Sequence, residues 1–426
     1  MGRGFRIFLV CLLGFCVLFG AFCIIWPLMH DGPQQGPNTV QPNAPVEVDP
    51  SDTPNQPEPS QPEDQTPASD PEEPSLEAQK AQAQMEQMSL EEKVYQLFFV
   101  TPEALTGVET ATRAGDATRA AIEEQPVGGI VYFAANLIDR NQTMELLSNT
   151  QSYSKIPLFL AVDEEGGIVS RVGSNPAMGV THLDSMASYG AQADTQQVYT
   201  LGRTLGEELL ALGFNLDFVP VADVVTNPNN TEIGSRSFSS DPFIAAKMVG
   251  SMVSGMQESG ILSALKHFPG HGGTASDTHN GLSVTTRTPE EMEQSEFLPF
   301  AAGIEAGAPF VMVGHLSATA INGDNTPADL SSAIVSDILR GDLGYQGLII
   351  TDAQDMGAIT SYYTPAEAAV GALEAGVDMI LMPADLQAAV DGVLSAIEQG
   401  RLTESRIDES VLRILTTKYR YNLFHE

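Results

Sequence analysis

Cysteine is almost absent from this chain. Of 426 residues only three are cysteine, Cys11, Cys16 and Cys23, and all three fall within the first 23 positions. The rest of the chain therefore has neither a disulfide framework nor a thiolate metal site. Positive charge is scarce as well, with Lys and Arg numbering 20 against 55 Asp and Glu, for a formal net charge of −35. Such a molecule repels phosphate backbones and lacks the Lys/Arg stripe that counterion release requires, which excludes a nucleic-acid binder. Two phosphate-cradling patterns are missing too. No GxGxxG follows the first apolar run and no GxxxxGK[ST] occurs, so a nucleotide-binding α/β sheet loses support. What is present, 42% AVILMFWYC over this length, allows at least one large core and excludes a wholly disordered chain.

One long apolar run stands apart from the rest. Arg3 and Arg6 precede Ile7 to Leu28, 22 residues without a charge. At about 1.5 Å rise per residue this run spans a hydrocarbon core of roughly 30 Å. Arginines on the short leading side place that end in the cytoplasm, so the body is expected outside the cell on a single-pass anchor. The alternative is a processed or lipidated signal, giving a secreted protein or lipoprotein; Gly20-Ala21-Phe22 suits neither cut. Residues 1–30 thus read as an anchor or signal segment. Residues 31–87 hold 12 of the 27 prolines and 12 acidic residues against one basic, Lys80. Low hydrophobicity with like charge does not repay the entropy of ordering, so a disordered linker is expected there. Residues 88–426 form the expected globular domain.

That domain repeats one unit eight times. Short apolar runs recur at Tyr95 to Val100, Gly128 to Phe133, Pro157 to Asp163, Phe218 to Val224, Leu262 to Phe268, Pro309 to His315, Gly347 to Asp352 and Asp378 to Met382. Segments with helical spacing lie between them, among them Thr195 to Leu212, Ile244 to Glu258, Pro289 to Ala306, Ala366 to Ala375 and Leu386 to Glu398. Continuously apolar strands alternating with helices predict a parallel sheet covered by helices, and eight units predict an α/β fold of the (β/α)8 TIM-barrel type. A doubly wound open sheet is the runner-up.

Polar residues gather where such a barrel keeps its chemistry, at the carboxyl ends of the strands. Those ends carry Asp163-Glu164-Glu165-Gly166-Gly167, Lys266-His267, Gly314-His315 and Asp352. The densest group is KHFPGHGGTASDTHNG at 266–281, which brings Lys266, His267, His271, Asp277 and His279 within fourteen positions. Its glycines and proline break any helix, so His271, Asp277 and His279 are expected on a loop over the mouth. The same break argues against a helical His267/His271 metal pair, and no metal or cofactor is expected. Asp277 and His279 are two apart, a spacing at which a carboxylate accepts a hydrogen bond from one imidazole nitrogen and supports charge on the ring.

These residues stand in motifs that resemble glycoside hydrolase family 3, in its β-N-acetylhexosaminidase branch. KHFPGHG at 266–272 with Asp277-Thr278-His279 carries the likeness most specifically. DEEGG at 163–167, GSRSF at 234–238 and GLIITDAQDMGAI at 347–359 agree with it in order. The likeness runs from MSLEEKVYQLF at Met88 to RIDESVLRILTTKY, ending at 419, and covers none of the first 87 residues. The resemblance implies a retaining exo-β-N-acetylglucosaminidase working through a covalent glycosyl-enzyme. By motif position it implies Asp352 as nucleophile, His279 as acid/base oriented by Asp277, and Asp163, Arg236, Lys266 and His267 as holders of the sugar hydroxyls. An imidazole with an ordinary pKa of about 6.5 exchanges protons near neutrality, and several charged donors on one sugar make the stronger hydrogen bonds.

Each assignment has a plainer alternative. Asp352 as a helix cap, Asp163 as a strand-end carboxylate paired with Arg171, Arg236 as a surface residue, and Glu165 as structural are the competing readings. His315 reads equally as a residue of the site floor or as a satisfied core histidine. Two departures from the family pattern, Ile168 where the branch often has arginine and Gly273 where aspartate is common, bear on recognition beyond the first sugar. The expected partner is an N-acetylglucosamine-containing oligosaccharide of peptidoglycan or chitin type, bound by a monomer whose only membrane contact is the N-terminal helix. A β-glucosidase or phosphorylase of the same family, and an inactive sugar-binding protein, are the alternatives.

Overall fold

A computed structural model describes residues 74–274 and 281–424. Seven of the eight apolar runs contain a strand and the remaining strand, β4, forms just before the fourth run: β1 (Phe98–Val100), β2 (Gly129–Val131), β3 (Phe159–Val162), β4 (Leu216–Asp217), β5 (Leu262–Phe268), β6 (Phe310–Val313), β7 (Leu348–Thr351) and β8 (Ile380–Leu381). Every residue of these strands is buried. That is the reason they are apolar without alternation, since a parallel sheet has helices on one face and its own interior on the other. The strands pair in the order β8-β1-β2-β3-β4-β5-β6-β7, all parallel. A parallel bridge between Ile350 and Met379, with the Thr351 amide donating to the Met379 carbonyl at 3.0 Å, joins the two ends of that order. The ring closes, which separates this fold from the open doubly wound sheet.

Closure is stabilised from inside by large side chains. Phe99 stacks on Phe159 at 6.5 Å and tilts against Phe218 at 5.6 Å, while Phe159 meets Phe310 edge-on at 5.2 Å. Outside, helices follow the strands and begin where the sequence supplies caps. Asp194 caps α5 (Thr195–Leu210), Asp241 caps α6 (Pro242–Ser259), Thr364 and Glu367 form a capping box on α8 (Pro365–Ala375), and Asp385 caps α9 (Leu386–Glu398). Between and around them lie α2 (Leu90–Gln96), α3 (Asp116–Glu124), α4 (Arg140–Tyr153), α7 (Phe297–Glu305) and the closing α10 (Glu404–Arg420).

Two expectations need correction. The stretch expected to be unordered through residue 87 contains a helix, α1 (Leu76–Met85), capped by Ser75 and burying Ala81 and Met85. Its sequence LEAQKAQAQM consists of strong helix formers and follows the last proline, Pro74, so composition averaged over residues 31–87 conceals it. The fourth strand is Leu216–Asp217, and the run Phe218 to Val224 meets β5 through an isolated bridge, Val221 to Lys266. Pro220 has no N–H to give a ladder, which ends regular pairing there. No helix among the described residues is long and apolar enough to cross a membrane; Ile7 to Leu28, and the linker up to residue 73, lie outside them.

Candidate active site

The three acids after β3 take three different tasks. Asp163 accepts from Lys266 Nζ at 2.6 Å. Glu164 turns away from the mouth and folds its own loop, accepting from Ser170 Oγ at 2.5 Å and from the Arg171 and Val172 amides at 2.7 and 2.6 Å. Glu165 faces the mouth again and meets both Lys266 Nζ, at 2.6 Å, and Arg236, whose Nε and Nη2 donate to its two oxygens at 2.7 and 2.8 Å. The turn between these tasks needs glycine. Gly166 sits at φ +83°, and a Cβ there would lie 2.7 Å from Leu183 Cβ and 2.8 Å from the Asp184 carbonyl oxygen.

Lys266 and His267 are consecutive on β5 and both reach the mouth. The register of β5 against β6 shifts between Leu265 and Phe268, and such an irregularity re-aims side chains that strict alternation would send to opposite faces. Lys266 is buried, with its side chain only 3% exposed. Burial alone would lower its pKa, but Asp163 and Glu165 outweigh that and raise it. Burial likewise would raise the Glu165 carboxyl, yet Lys266 and Arg236 pull it down to about 2. The cluster is therefore a set of fixed charges, two carboxylates against one ammonium and one guanidinium.

A fourth carboxylate organises the loop beyond β5. Asp223 is buried; its Oδ2 lies 2.7 Å from His267 Nδ1 and accepts from the His267 amide at 3.1 Å, and its Oδ1 accepts from the His271 amide at 2.5 Å. Burial would raise its carboxyl, and His267 and His271 hold it below the usual range. His271 is also buried, with Nδ1 2.9 Å from Thr274 Oγ1 and Nε2 3.4 Å from Glu232. Gly272 admits the loop against the fold, since a Cβ there would lie 2.0 Å from the Val224 carbonyl oxygen. Among the described residues no group of three His, Cys, Asp or Glu is placed to hold a metal ion.

Asp352 directly follows β7 and opens into the same space. Its Oδ1 accepts from the Ala353 amide at 2.8 Å. Burial would raise its carboxyl, but His267, His315, the Ala353 amide and Lys266 together lower it, so it is anionic at neutral pH. Asp163, Glu165, Arg236, Lys266, His267 and Asp352 line one cavity of about 310 Å³, whose apolar wall includes Phe133, Met312, Met356 and Met382.

The structure thus brings together five of the seven expected site residues: Asp163, Arg236, Lys266, His267 and Asp352. The other two, Asp277 and His279, lie outside the described residues. Asp352 does not cap the next helix, which begins at Gly357 after Met356. Asp163 pairs with Lys266, while the Arg171 guanidinium lies 5.5 Å from the centre of the Phe133 ring on the cavity wall. Arg236 is not a surface residue, its side chain being 12% exposed. Ile168, at the first departure from the family pattern, is 75% exposed. Sequence reasoning missed Asp223, hidden inside an apolar run, and named Arg171 only as a competing partner for Asp163; it read Glu165 as structural, whereas that residue lines the cavity. Position near the end of an apolar run was the signal available for Asp223, and position after a strand within DEEGG was the signal for Glu165.

Comparison with known proteins agrees with this geometry. Residues 89–417 match the family described as the glycosyl hydrolase family 3 N terminal domain. "Beta-hexosaminidase A" of Pseudoalteromonas piscicida is 34% identical over 323 residues, which is 70% of this chain and 54% of that protein. A glycoside hydrolase family 3 β-N-acetylglucosaminidase from Paenibacillus superposes with a TM-score of 0.75 at 36% identity, covering 80% of this chain and 64% of that one. A β-N-acetylhexosaminidase from Beutenbergia cavernae gives 0.70 at 31% identity, covering 78% and 99%. This chain spans little more than half the length of the Pseudoalteromonas relative. With the match extending over the whole barrel and its strand-end motifs, the chain belongs to glycosyl hydrolase family 3.

Proposed function

We propose that this protein is a retaining exo-β-N-acetylglucosaminidase that removes terminal N-acetylglucosamine from oligosaccharides of cell-wall or chitin type. The observation that carries the reading is Asp352, an anionic carboxylate opening into a cavity that already holds Lys266, Asp163, Glu165 and Arg236 as fixed charges. The names of the relatives above support the same substrate class. In the first step the Asp352 carboxylate attacks the anomeric carbon as the glycosidic bond breaks, and the leaving oxygen takes a proton from His279. In the second step His279 takes a proton from water, and that water displaces Asp352. Asp277 orients the imidazole and supports its charge. Asp163, Arg236, Lys266 and His267 hold the sugar hydroxyls, and because Glu165 and Asp223 fix these side chains before substrate arrives, little reorganisation accompanies the reaction. Residues 7–28 anchor the protein, with the barrel outside the cell and acting as a monomer on wall-derived sugar.

The test compares p-nitrophenyl β-N-acetylglucosaminide with the β-glucoside on the purified full-length chain, in chelator and without phosphate. The N-acetylglucosaminide is expected to turn over preferentially, and Asp352→Asn to lower kcat on the order of 10³-fold or more. Preference for the glucoside, a requirement for phosphate, or an active Asp352→Asn protein would each overturn the reading.

A further inference from the structure

No step of the chemistry above is assigned to His315 or Asp329. The residue follows β6 after Gly314, and its ring is completely buried. Both ring nitrogens meet acceptors: Nε2 lies 2.8 Å from the Ala353 carbonyl oxygen and Nδ1 lies 3.1 Å from Asp329 Oδ1. The Asp329 contact falls outside directed hydrogen-bond geometry, so it is a contact of charges rather than an aligned bond. A carbonyl has no proton to give, so Nε2 carries one. Asp329, on the turn Ala328–Leu330, is as buried as the ring, and its other oxygen has Gln354 Nε2 at 3.4 Å. A buried carboxylate without a counter-charge is costly, and His315 is the cation in contact with it. An imidazolium presents a proton both to the Ala353 carbonyl oxygen and to Asp329 Oδ1. Burial opposes that state, but Asp329, the more distant Asp352 and the Ala353 carbonyl raise its pKa to about 9.

What the ring holds is the residue after Asp352. Ala353 is gripped on both sides, its amide donating to Asp352 Oδ1 and its carbonyl accepting from His315. Gln354 then donates its amide to Leu381 at 2.9 Å and turns its side chain to Asp329. Positions 352 to 354 are thus tied to one buried pair. Lys266 and His267 also lower the Asp352 carboxyl, and among the described residues Asp163, Glu165, Arg171, Glu232, Arg236 and Asp355 line the same cavity. We propose that the buried His315–Asp329 pair is a positioning device for Asp352: Asp329 keeps His315 cationic, and that cation fixes Ala353 and keeps the Asp352 carboxylate ionised into acidic conditions. The proposal rests on Asp352 being the nucleophile.

Two substitutions remove the charge while keeping a donor in place. Asp329→Asn offers an N–H to an unprotonated Nδ1, and His315→Gln offers one to the Ala353 carbonyl. In each folded variant the acidic limb of kcat/KM against pH should move upward by about one unit, a roughly tenfold loss at a fixed pH on that limb with a smaller loss at pH 7.5. A merely structural role would lower kcat/KM evenly across pH, and an unmoved limb in a folded variant overturns the proposal. The natural chain supplies a reading that does not depend on variants folding. With ¹⁵N-labelled histidine, one of its seven rings should remain doubly protonated at pH 8, and finding every ring neutral there also overturns it. Asp352→Asn is measured alongside. If that variant is active, the nucleophile reading fails; if it is inactive while both limbs stay unmoved, only the role of the pair fails.

Discussion

Glu165 serves two cations at once, and its own ionisation depends on them. With Lys266 at 2.6 Å and Arg236 bonded to both oxygens, its carboxyl is drawn from an ordinary 4.5 to about 2. A folded carboxyl that binds its proton less readily than the unfolded one stabilises the fold above the unfolded value. That contribution is lost as pH falls from about 4.5 toward 2. Glu165→Gln should therefore lower the unfolding free energy at pH 7 by about 3 kcal/mol, because two cations lose a buried partner. Urea denaturation of both proteins at pH 7 and pH 3 checks this, and the gap should narrow at the lower pH. In DEEGG the three acids are consecutive and carry the same functional group, yet one binds Lys266, one folds its loop and one bridges two cations. Their separation depends on which way a backbone with Gly166 at positive φ turns each of them, and spacing along the chain does not specify that.

Among the elements, α1 shows how a short helix becomes stable by docking. Its ten residues are too few to persist alone in water. It is held by burying Ala81 and Met85 and by Lys80 Nζ lying 5.8 Å from the centre of the Tyr419 ring on α10. Met85→Ala should cost about 2 kcal/mol or somewhat more, measured by urea unfolding, while the exposed Gln87→Ala should change little. The helix formers of α1 are visible in the sequence beside the proline-rich stretch, but the surface that makes it fold is contributed by residues more than three hundred positions away. The fourth strand shows the converse. Phe218 to Val224 is apolar enough for a strand, and Pro220 within it signals that the ladder stops. What remains, a single bridge from Val221, leaves Asp223 free of sheet pairing and bonded to His267 and His271.

For the whole molecule, the charge of −35 and the N-terminal run make separable statements. The run from Ile7 to Leu28 is expected to keep the full chain with membranes through an alkaline wash that strips peripheral proteins, and detergent should release it. Recovery in the wash supernatant would mean that the segment is cleaved or lies outside the bilayer.

The order of strands and helices, the closure into eight units and the concentration of chemistry at strand ends were legible in the sequence, because burial on both faces writes strands as continuous apolar runs and turns as glycine and proline. So were five residues that meet at one cavity, since motif and strand-end position coincide for Asp163, Lys266, His267 and Asp352, and the motif alone marks Arg236. The buried partners of these residues and of His315 were not legible. Asp223 beneath His267, Glu165 between Lys266 and Arg236, and Asp329 behind His315 are joined across 44, 71 or 101, and 14 positions of chain. Whether a buried acid is a counter-charge, a loop pin or a nucleophile depends on which cation lies within about 3 Å of it and how much water is excluded. Local sequence sets which groups exist; the closed barrel decides which of them meet.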